Sequence, residues 1–506
     1  MVIDLEHLPT EHIILHQIIF NLVSEVNSLQ DQLLLLKAKY FGKSSEKINK
    51  QIADLEMRIE EEESESIADV AQGSDEDEKY KDSKQQPKRN ALSDHLPRED
   101  IIINHDPKCS ICGSEQFRKI CDDISETLEY IPSSFKVVRH IRPRCICIDC
   151  DHIMQANLPS KGIDKGKAGP GLLAHILVQK YCNHLPLYRQ SQIYEREGID
   201  LSRTTMAGWA SACSKLLEPL VREITKYVFA SPQIHTDDTP VKVLAPGIGK
   251  TKTGRIWAYI KDGRPHGDES PTAICYFYSP DRREERPVQH LKDYTGIMHA
   301  DAYAGYNNLY ISDKNKDATI EEAACWAHTR RKFYEITITN DKASIALTVL
   351  DAISKLYKIE AEIRGLDPDQ RLDQRQSRSK ELVNNLFKYF QKTYALLPRK
   401  SSTAKAIYYA LGNQEALKRF LDNGRVEIDN NTAERAMRSI AVGRKNWLFA
   451  GSDRGGETAA GIYSLIESAK INNINPHKYF KKVLETIQDY NSQKLADLLP
   501  WNIILD

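Results

Sequence analysis

Three short stretches of the chain place acidic residues where a carboxylate could bind a metal ion. Asp237 and Asp238 lie in IHTDDTPVKV, Asp301 lies in GIMHADAYAGY, and Glu434 lies in EIDNNTAERAM. The first two stretches have the pattern of strands, and the third resembles the start of a helix. Carboxylates on rigid elements can hold a pair of Mg²⁺ or Mn²⁺ ions, because these ions prefer oxygen ligands. Such a pair activates water and stabilises the leaving oxygen in phosphodiester cleavage, which is the chemistry these acids predict.

The pattern leaves open which acid of the Asp237–Asp238 pair would bind metal. Adjacent side chains on a strand point to opposite faces, so only one of the two can face the ions. Asp429 or Asn430 is suited to cap the helix, which would put Glu434 about one turn inside it. Each acid alone is more simply explained as a turn former, and the hypothesis depends on the three occurring together.

Basic and aromatic residues accompany two of these stretches. Cationic side chains near the acids would bind phosphate, and a tryptophan could stack on an unpaired base. The residues are Arg330, Arg331, Arg435, Arg438, Arg444, Lys445 and Trp447. The alternative is a solvated helix with a buried tryptophan. Cys325 and His328, in the adjacent CWAH, cannot complete a metal site as a pair, so a structural or substrate-positioning role is expected.

A cysteine-rich segment predicts a zinc site. Two CxxC pairs are formed by Cys109, Cys112, Cys147 and Cys150. Each CxxC turn can present two thiolates to one ion, and two turns complete a tetrahedral Zn²⁺ site whose role is structural. The segment between the pairs is longer than a usual zinc-ribbon gap and alternates like a β-hairpin. Cys121 and Cys145 are spare, and Cys145 could compete with Cys147. Buried cysteines without a ligand are the alternative.

Composition bounds the class of protein only loosely. The 506 residues are 41% hydrophobic and 28% charged, as expected for a soluble chain of several domains. The formal net charge of −1 neither supports nor excludes a nucleic-acid partner, because acids concentrate between residues 56 and 78 while bases cluster elsewhere. No apolar run approaches the roughly 20 residues of a membrane helix. The acidic start is unlike a secretion signal, so a cytoplasmic protein without membrane partners is expected.

Residues 1–62 are predicted to form a coiled coil that dimerises the chain. An a/d seam with alternating steps of four and three residues is formed by Leu15, Ile19, Leu22, Val26, Leu29, Leu33 and Leu36. A helix packed on its own domain is the alternative. Residues 63–97 are rich in charged and polar residues, which predicts a disordered linker before the zinc-binding domain over 98–158.

Residues 165–230 have a helical pattern with a helix-turn-helix outline. One helix ends before the EGID turn, and a second is capped by Ser202. Arg203 and Thr204 would then lie at the exposed start of the second helix, where such motifs contact DNA. Many helical hairpins look alike, so helical packing without DNA contact is the alternative.

Residues 231–470 are expected to form the catalytic domain, and residues 471–506 a C-terminal helical tail. Strands are predicted at PQIHTDD, RIWAYI, AICYFYS, GIMHADA and TIEEAACWA, with a helix at QHLKDY. Three successive strands followed by alternating helix and strand favour a mixed sheet of the ribonuclease-H type. Residues 338–424 are charged and helical, which predicts an insertion between the second and third acids. The predicted fold class is therefore multidomain α+β with a ribonuclease-H-like α/β core.

Several motifs closely resemble the transposases of the insertion sequence 66 family. The resemblance covers nearly the whole chain and includes FGKSSEK, LPRE, the CxxC pairs, HTDDTPVKV, KTGRIWAY, CWAHTRRKF, EIDNNTAERAMRSIAVGRKNWLFAGSDRGGE and LLPWN. It implies a DDE transposase with Asp237, rather than Asp238, as the first metal ligand and Asp301 and Glu434 as the others. The family more often has glycine where this chain has Ala302, a change we expect to be tolerated. Cys145 stands where a residue other than cysteine is expected.

The resemblance implies a bacterial, nucleoid-associated enzyme that binds the inverted-repeat ends of its own mobile element. It would cut these DNA ends by metal-dependent hydrolysis and join the freed 3′-hydroxyls to target DNA. A homodimer or higher homo-oligomer is expected, and helper proteins of the same element are possible partners. The alternative is a non-catalytic DNA-binding regulator derived from a transposase.

Overall fold

The structure is a computed structural model that describes residues 92, 94, 96–104, 107–131, 134–157, 163, 166–245, 250–311, 319–339 and 344–505. The predicted coiled coil over 1–62 and nearly all of the linker over 63–97 lie outside the described residues. Within the part of the chain that is described, every helix is too short or too polar to span a membrane.

The cysteine-rich region is built on a long β-hairpin. Its strands β1 (Arg98–Ile102), β2 (Phe117–Ile131), β3 (Ser134–Cys147) and β4 (Ile153–Met154) form a sheet in the order β1-β3-β2, with β4 paired to β3. β2 and β3 are antiparallel, as predicted, and β1 runs parallel to β3. A strand of 15 residues extends about 50 Å. The hairpin therefore carries its two ends far apart.

The turn end of the hairpin packs on a helical layer formed by α1 (Pro170–Tyr181), α2 (Leu187–Arg196) and α3 (Arg203–Phe229). The Tyr130 ring stacks on His175, and Phe135 meets Tyr194 edge to face. The helix, turn and helix predicted here are present, with Gly198 at φ +78° and Ser202 capping α3 through Thr205 N–H. α3 runs for 27 residues. Its length lets it pack along the following sheet as well.

A second, mixed sheet contains all five predicted strands of the catalytic region. They are β5 (Gln233–Ala245), β6 (Lys250–Lys261), β7 (Ala273–Ser279), β8 (Gly296–Ala300) and β9 (Ile320–Ala324). The strand order is β7-β6-β5-β8-β9; β5, β6 and β7 are antiparallel, while β8 and β9 run parallel to β5. A short β10 (Phe449–Ala450) also pairs with β5. Short 3₁₀ segments occur at Arg264–His266, Ala304–Leu309 and Ser492–Leu498.

The helix predicted at QHLKDY is wrong in position. α4 spans Glu285–His290, so it ends where the prediction begins. The Arg286 guanidinium binds the Asp281 carboxylate and fixes the preceding turn, which starts the helix early. Leu291 and Tyr294, predicted to be helical, instead fill the core as the chain enters β8.

α12 (Asp453–Ile471) packs along β7, the strand at one edge of the mixed sheet. The hydroxyl of Ser464 accepts a hydrogen bond from Tyr276 N–H, and that of Ser468 accepts one from Ile274 N–H. These side chains satisfy backbone groups that would otherwise be free to pair with another strand. α13 (Pro476–Thr486) follows and packs against α1. One continuous hydrophobic core contains side chains from α1, α3, the mixed sheet and α12.

A separate helical layer lies between β9 and the third acidic stretch. It consists of α5 (Trp326–Thr339), α6 (Ser344–Glu362), α7 (Pro368–Gln374), a π-helical turn (Arg375–Ser379), α8 (Lys380–Leu396), α9 (Ser402–Gly412) and α10 (Gln414–Asp422). It has its own core, which includes Trp326, Phe333 and Phe390. The helical layer therefore begins at α5, before the predicted start at residue 338. α11 (Asn431–Trp447) then returns the chain to β5.

Candidate active site and zinc centre

The parallel pairing of β5 with β8 brings Asp237 and Asp301 to the same edge of the sheet. In this register Gln233 is opposite Ile297 and His235 is opposite His299. Asp237 and Asp301 each lie two residues beyond the last of these pairs, at the carboxyl ends of the paired segments. Adjacent parallel strands are about 4.8 Å apart, so both carboxylates are placed to approach one bound ion.

The structure distinguishes the two adjacent aspartates. The Asp238 carboxylate is 2.9 Å from Arg255 and 2.7 Å from Arg282, and its side chain is only 2% exposed. Asp237 points to the opposite face, where its Oδ1 accepts a hydrogen bond from Asp238 N–H. Asp238 is thus neutralised by two guanidinium groups, while Asp237 has no basic partner among the described residues. The geometry favours Asp237 as the metal ligand, in agreement with the family resemblance.

Glu434 reaches this edge because Asn430 fastens the start of α11 to β5. The Asn430 side chain is buried, donates to Thr236 O at 2.8 Å and lies 3.0 Å from His235 Nδ1. Its backbone N–H donates to the Cys325 sulfur at 3.2 Å. Asn430 occupies the cap position, yet its side chain does not cap the helix. Glu434 follows one turn later, as predicted.

The three acids interact electrostatically. Burial, together with the negative charges of Asp301, Asp238 and Glu434, raises the pKa of Asp237 to about 7. Such crowding is unfavourable unless a cation is shared between the carboxylates. One Glu434 carboxylate oxygen, Oε1, is also buried without a hydrogen-bond partner. Within the described residues, the three carboxylates do not bring their ligand oxygens within 4.8 Å of one another, so sharing a divalent cation would require them to move closer.

Two residues of α5 face Glu434. His328 Nε2 and Arg331 Nη2 are each 3.7 Å from a Glu434 carboxylate oxygen. Cys325, by contrast, is fully buried, and burial raises the pKa of its thiol to about 12. Cys325 therefore acts as a structural acceptor for Asn430, and His328 lies beside the acids. Of the two roles expected for this pair, the structural one fits Cys325 and the substrate-positioning one fits His328.

The residues predicted to bind DNA differ in their exposure. Exposed side chains occur at Arg203, Thr204, Arg330, Arg331, Arg435, Arg438 and Lys445. Arg444 instead donates to the backbone oxygen of Pro240 and holds α11 to β5. Trp447 is partly buried against the main core, at the far end of α11. A helical rise of 1.5 Å per residue puts it about 20 Å from Glu434 along the axis, too far to stack on a base beside the acids.

The four predicted zinc ligands form a single cluster. Their sulfur atoms all lie within 4.8 Å of one another, with Cys109 and Cys150 3.6 Å apart and Cys112 and Cys147 3.5 Å apart. A tetrahedral ion with bonds of about 2.3 Å requires sulfur–sulfur distances near 3.8 Å, so the cluster fits Zn²⁺. Backbone N–H groups of Cys112 and Ile111 lower the pKa of the Cys109 thiol to about 6. Hydrogen bonds with the neighbouring thiols and burial instead raise the pKa of Cys150 to about 12, so the Cys109 thiolate is favoured at the expense of its neighbour.

The long hairpin explains the unusual gap between the CxxC pairs. Phe117 pairs with Cys147 at the open end of the hairpin. The long segment between the CxxC pairs forms β2 and β3, and it brings the second pair back beside the first. Cys145 lies on β3 opposite Met154 of β4, and it is outside the four-sulfur cluster. The concern that Cys145 would replace Cys147 is therefore not supported.

Sequence reasoning missed Asn430 as a positioning residue and the two arginines that neutralise Asp238. Asn430 was recognised only as a cap candidate, because nothing local indicates a bond to a strand 194 residues away. Arg255 and Arg282 come from β6 and from the loop after β7, with no spacing that links them to Asp238. The one signal in the sequence was the adjacency of Asp237 and Asp238, because two neighbouring acids on opposite faces of a strand indicate that one of them has basic partners elsewhere.

Comparison with known proteins identifies the family. The model for the Transposase IS66 family matches residues 165–458, and the IS66 C-terminal element matches residues 464–501. The zinc-finger binding domain of transposase IS66 matches residues 106–151, and a domain described as Transposase C of IS166 homeodomain matches residues 28–101. These matches, together with the cysteine cluster, define a transposase. The chain belongs to the IS66 transposase family.

Relatives of similar length occur in Sinorhizobium fredii. Uncharacterized protein y4hP is 36% identical over 92% of this chain and 87% of its own length. Uncharacterized protein y4qI is 37% identical over 82% of this chain and 77% of its own length. The similarity therefore extends through both the zinc-finger and transposase regions.

Proposed function

We propose that this protein is a DNA transposase that binds the inverted-repeat ends of its element, cuts them and joins the 3′-ends to target DNA. The proposal is supported by the position of Asp237 and Asp301 just beyond the paired segments of β5 and β8, and by the electrostatic interaction of Asp237 with Asp301 and Glu434. The strand order β7-β6-β5-β8-β9, with three antiparallel strands followed by two parallel ones, supports a ribonuclease-H-like core. The cytoplasm, on the nucleoid, is where such an enzyme would meet its DNA.

Asp237, Asp301 and Glu434 would hold two divalent ions, Mg²⁺ or Mn²⁺. When bound, the ions lower the pKa of the attacking water and stabilise the leaving oxygen. Hydrolysis breaks one phosphodiester at the element end and leaves a 3′-hydroxyl. That hydroxyl then attacks a target phosphodiester, so one bond forms as one breaks and the carboxylates are never modified.

The remaining residues around the acids would position these groups. Asn430 holds α11 against β5, and Asp238 locks β5 to its neighbours through Arg255 and Arg282. His328 and Arg331 lie beside Glu434, where a substrate phosphate would approach.

DNA contacts are assigned to the exposed basic residues, since phosphate binding requires accessible charge. Arg330, Arg331, Arg435 and Arg438 would contact DNA near the acids, and Lys445 would contact it further along α11. Arg203 with Thr204 at the start of α3 would form a separate contact. We propose a homodimer or higher homo-oligomer through the N-terminal heptads, with the domain boundaries given by the sequence.

The test is a cleavage assay on DNA that carries the ends of the element. Asp237→Asn, Asp301→Asn and Glu434→Gln are each expected to lower Mg²⁺-dependent nicking by more than roughly a thousandfold, because each removes a metal ligand. Binding to the same DNA should persist. Asp293→Asn, at a side chain that is 86% exposed just before β8, is the matched control and should nick normally.

The result also separates this proposal from the alternative of a non-catalytic regulator. A regulator would bind the element ends without nicking them in Mg²⁺ or Mn²⁺. Normal nicking by the Asp301→Asn protein would contradict the assignment of the acids even if the wild-type protein cuts DNA.

A further inference from the structure

A cavity of about 510 Å³ lies between α5 and α6, next to the candidate active site. Its lining includes Arg330, Arg331 and Tyr334 from α5 and Ser354 and Tyr357 from α6. Sites for small ligands commonly have volumes of roughly 300–1,000 Å³, so the cavity can hold a compact group. The sequence pattern indicated basic residues here but gave no sign of a cavity.

The cavity lies next to Glu434. Arg331 lines it, and the same guanidinium lies 3.7 Å from the Glu434 carboxylate. Asn431, the first residue of α11, also lines it and precedes Glu434 by one helical turn. A group bound in the cavity would therefore be adjacent to a phosphodiester held at Glu434.

The lining residues have the chemistry of a nucleotide site. Arg330 and Tyr334 are four residues apart on one face of α5, and the guanidinium carbon is 5.6 Å from the centre of the tyrosine ring. The Tyr334 side chain is 48% exposed, so its ring is available for stacking. No carboxylate within the described residues lies within ion-pairing distance of Arg330, which leaves its charge available for a phosphate. Tyr357 and Ser354 add an aromatic wall and a hydroxyl.

The dimensions exclude a DNA duplex. Packed helices have axes about 8–10 Å apart, and a cavity between two such helices cannot admit a double helix. A single base with its phosphate is of suitable size, because the base can stack on an aromatic ring while arginine binds the phosphate.

We propose that the α5–α6 cavity binds one unpaired nucleotide of the DNA strand that passes the acids, with Tyr334 stacking on the base and Arg330 binding its phosphate. The inference rests on the proposed function, since the acids beside the cavity indicate which polymer supplies the nucleotide. It gives the helical insertion a role in binding the strand next to the cut.

The experiment measures binding of the full-length protein to two fluorescein-labelled DNAs in Ca²⁺, which avoids cleavage. One is a blunt duplex, and the other is the same duplex with a single-stranded thymidine tail. Stacking of one base on an aromatic side chain predicts roughly tenfold tighter binding of the tailed DNA by the wild-type protein. Tyr334→Ala should lose this preference while binding the blunt duplex as before. Arg330→Ala should also lose the preference, and it should bind both DNAs more weakly because Arg330 is assigned a contact with the duplex as well.

Two controls make the outcome specific. Tyr334→Phe retains a ring and should retain the preference. Tyr408→Ala removes another tyrosine of the insertion, one that is 65% exposed on α9, and should behave as wild type. Equal affinity of the wild-type protein for both DNAs would overturn the inference, as would an unchanged preference in Tyr334→Ala or a lost preference in Tyr408→Ala.

Failure of the inference is distinguishable from failure of the proposed function. The tail preference is measured without cleavage, and the Asp301→Asn protein should retain it. A protein that nicks element ends but shows no tail preference would retain the proposed function and lose this inference. A protein that prefers the tailed DNA but shows no Mg²⁺-dependent nicking would support this inference and contradict the proposed function.

Discussion

At the scale of single residues, the backbone at Ala302 is under strain. Ala302 directly follows Asp301 and has φ of +61°, a left-handed conformation that an L-residue with a Cβ adopts at a cost of about 1–2 kcal/mol. Glycine, which the family resemblance led us to expect here, adopts it freely. The substitution was expected to be tolerated, and the structure shows where its cost arises.

Ala302→Gly is expected to raise the free energy of unfolding by about 1 kcal/mol, because it relieves the strain at a small entropic cost. Chemical denaturation measures the change. Ala304→Gly, at the start of the next 3₁₀ segment, is the control and should not stabilise the protein. Equal or lower stability of Ala302→Gly would contradict the account.

Residue identity alone did not determine the choice between Asp237 and Asp238. Pattern placed the two side chains on opposite faces of a strand, which is correct, but it could not identify the metal-facing one. The deciding groups, Arg255 and Arg282, belong to separate parts of the sheet. Such partners are fixed by tertiary contact and have no local signature.

At the scale of elements, α11 is the part whose placement completes the acidic edge. Its first turn is attached to β5 through Asn430, and its last turn through Arg444. Both bonds join the helix that carries Glu434 to the strand that carries Asp237. Residues that orient metal ligands in this way commonly change metal affinity by about 10–100-fold when they are replaced.

Asn430→Ala is expected to weaken Mn²⁺ binding by about tenfold or more, because the start of α11 loses its bonds to Thr236 and His235. The rise in melting temperature on addition of Mn²⁺ reports this affinity. Asn446→Ala, near the end of the same helix, is the matched control and should respond to Mn²⁺ as the wild type does. An undiminished response of Asn430→Ala would exclude the positioning role.

Packing around α4 predicts a loss of stability in acid. His290 stacks on Phe277 at 4.5 Å, and burial lowers its pKa to about 4. The unfolded chain has the ordinary value near 6.5 and binds a proton first, so this stability is present above pH 6.5 and declines as the pH falls toward 4. His290→Phe should flatten the decline, which amounts to roughly 3 kcal/mol for the wild type. Unfolding at several pH values measures it, and parallel curves for the two proteins would contradict it.

Elements were easier to predict from the sequence than their boundaries. The strands of the catalytic region were found from alternation and β-branched content, and the hairpin between the CxxC pairs from alternation alone. The insertion was predicted to begin near residue 338, whereas its core already includes Trp326 and Phe333 of α5. These residues look like part of the strand–helix alternation until the packing shows which core they join.

At the scale of the whole molecule, stability is divided among cores of very different size. The main core unites α1, α3, the mixed sheet and α12, and the helical insertion has a second one. The buried apolar cluster described at the zinc end of the hairpin consists of Cys109, Cys147 and Met154, with Phe117 packed beside them. A cluster that small cannot hold a fold without its metal.

Removal of zinc by a chelator is therefore expected to unfold the open, zinc-binding end of the hairpin and leave the mixed sheet intact. Hydrogen exchange should become fast around the CxxC turns and remain slow in β5 and β6. Cys112→Ser should reproduce the effect without a chelator, while Cys121→Ser, at a cysteine outside the cluster, should not. Loss of protection in β5 on chelation would show that the two regions unfold together.

The separation of the acids along the chain has a consequence during synthesis. Asp237 and Asp301 emerge from the ribosome early, but Glu434 follows only after the whole insertion has been made. A chain that terminates anywhere within the insertion carries two acids and no means of completing the metal site. Under the proposed function, truncated translation products would therefore lack nuclease activity, which would begin only after α11 has been made.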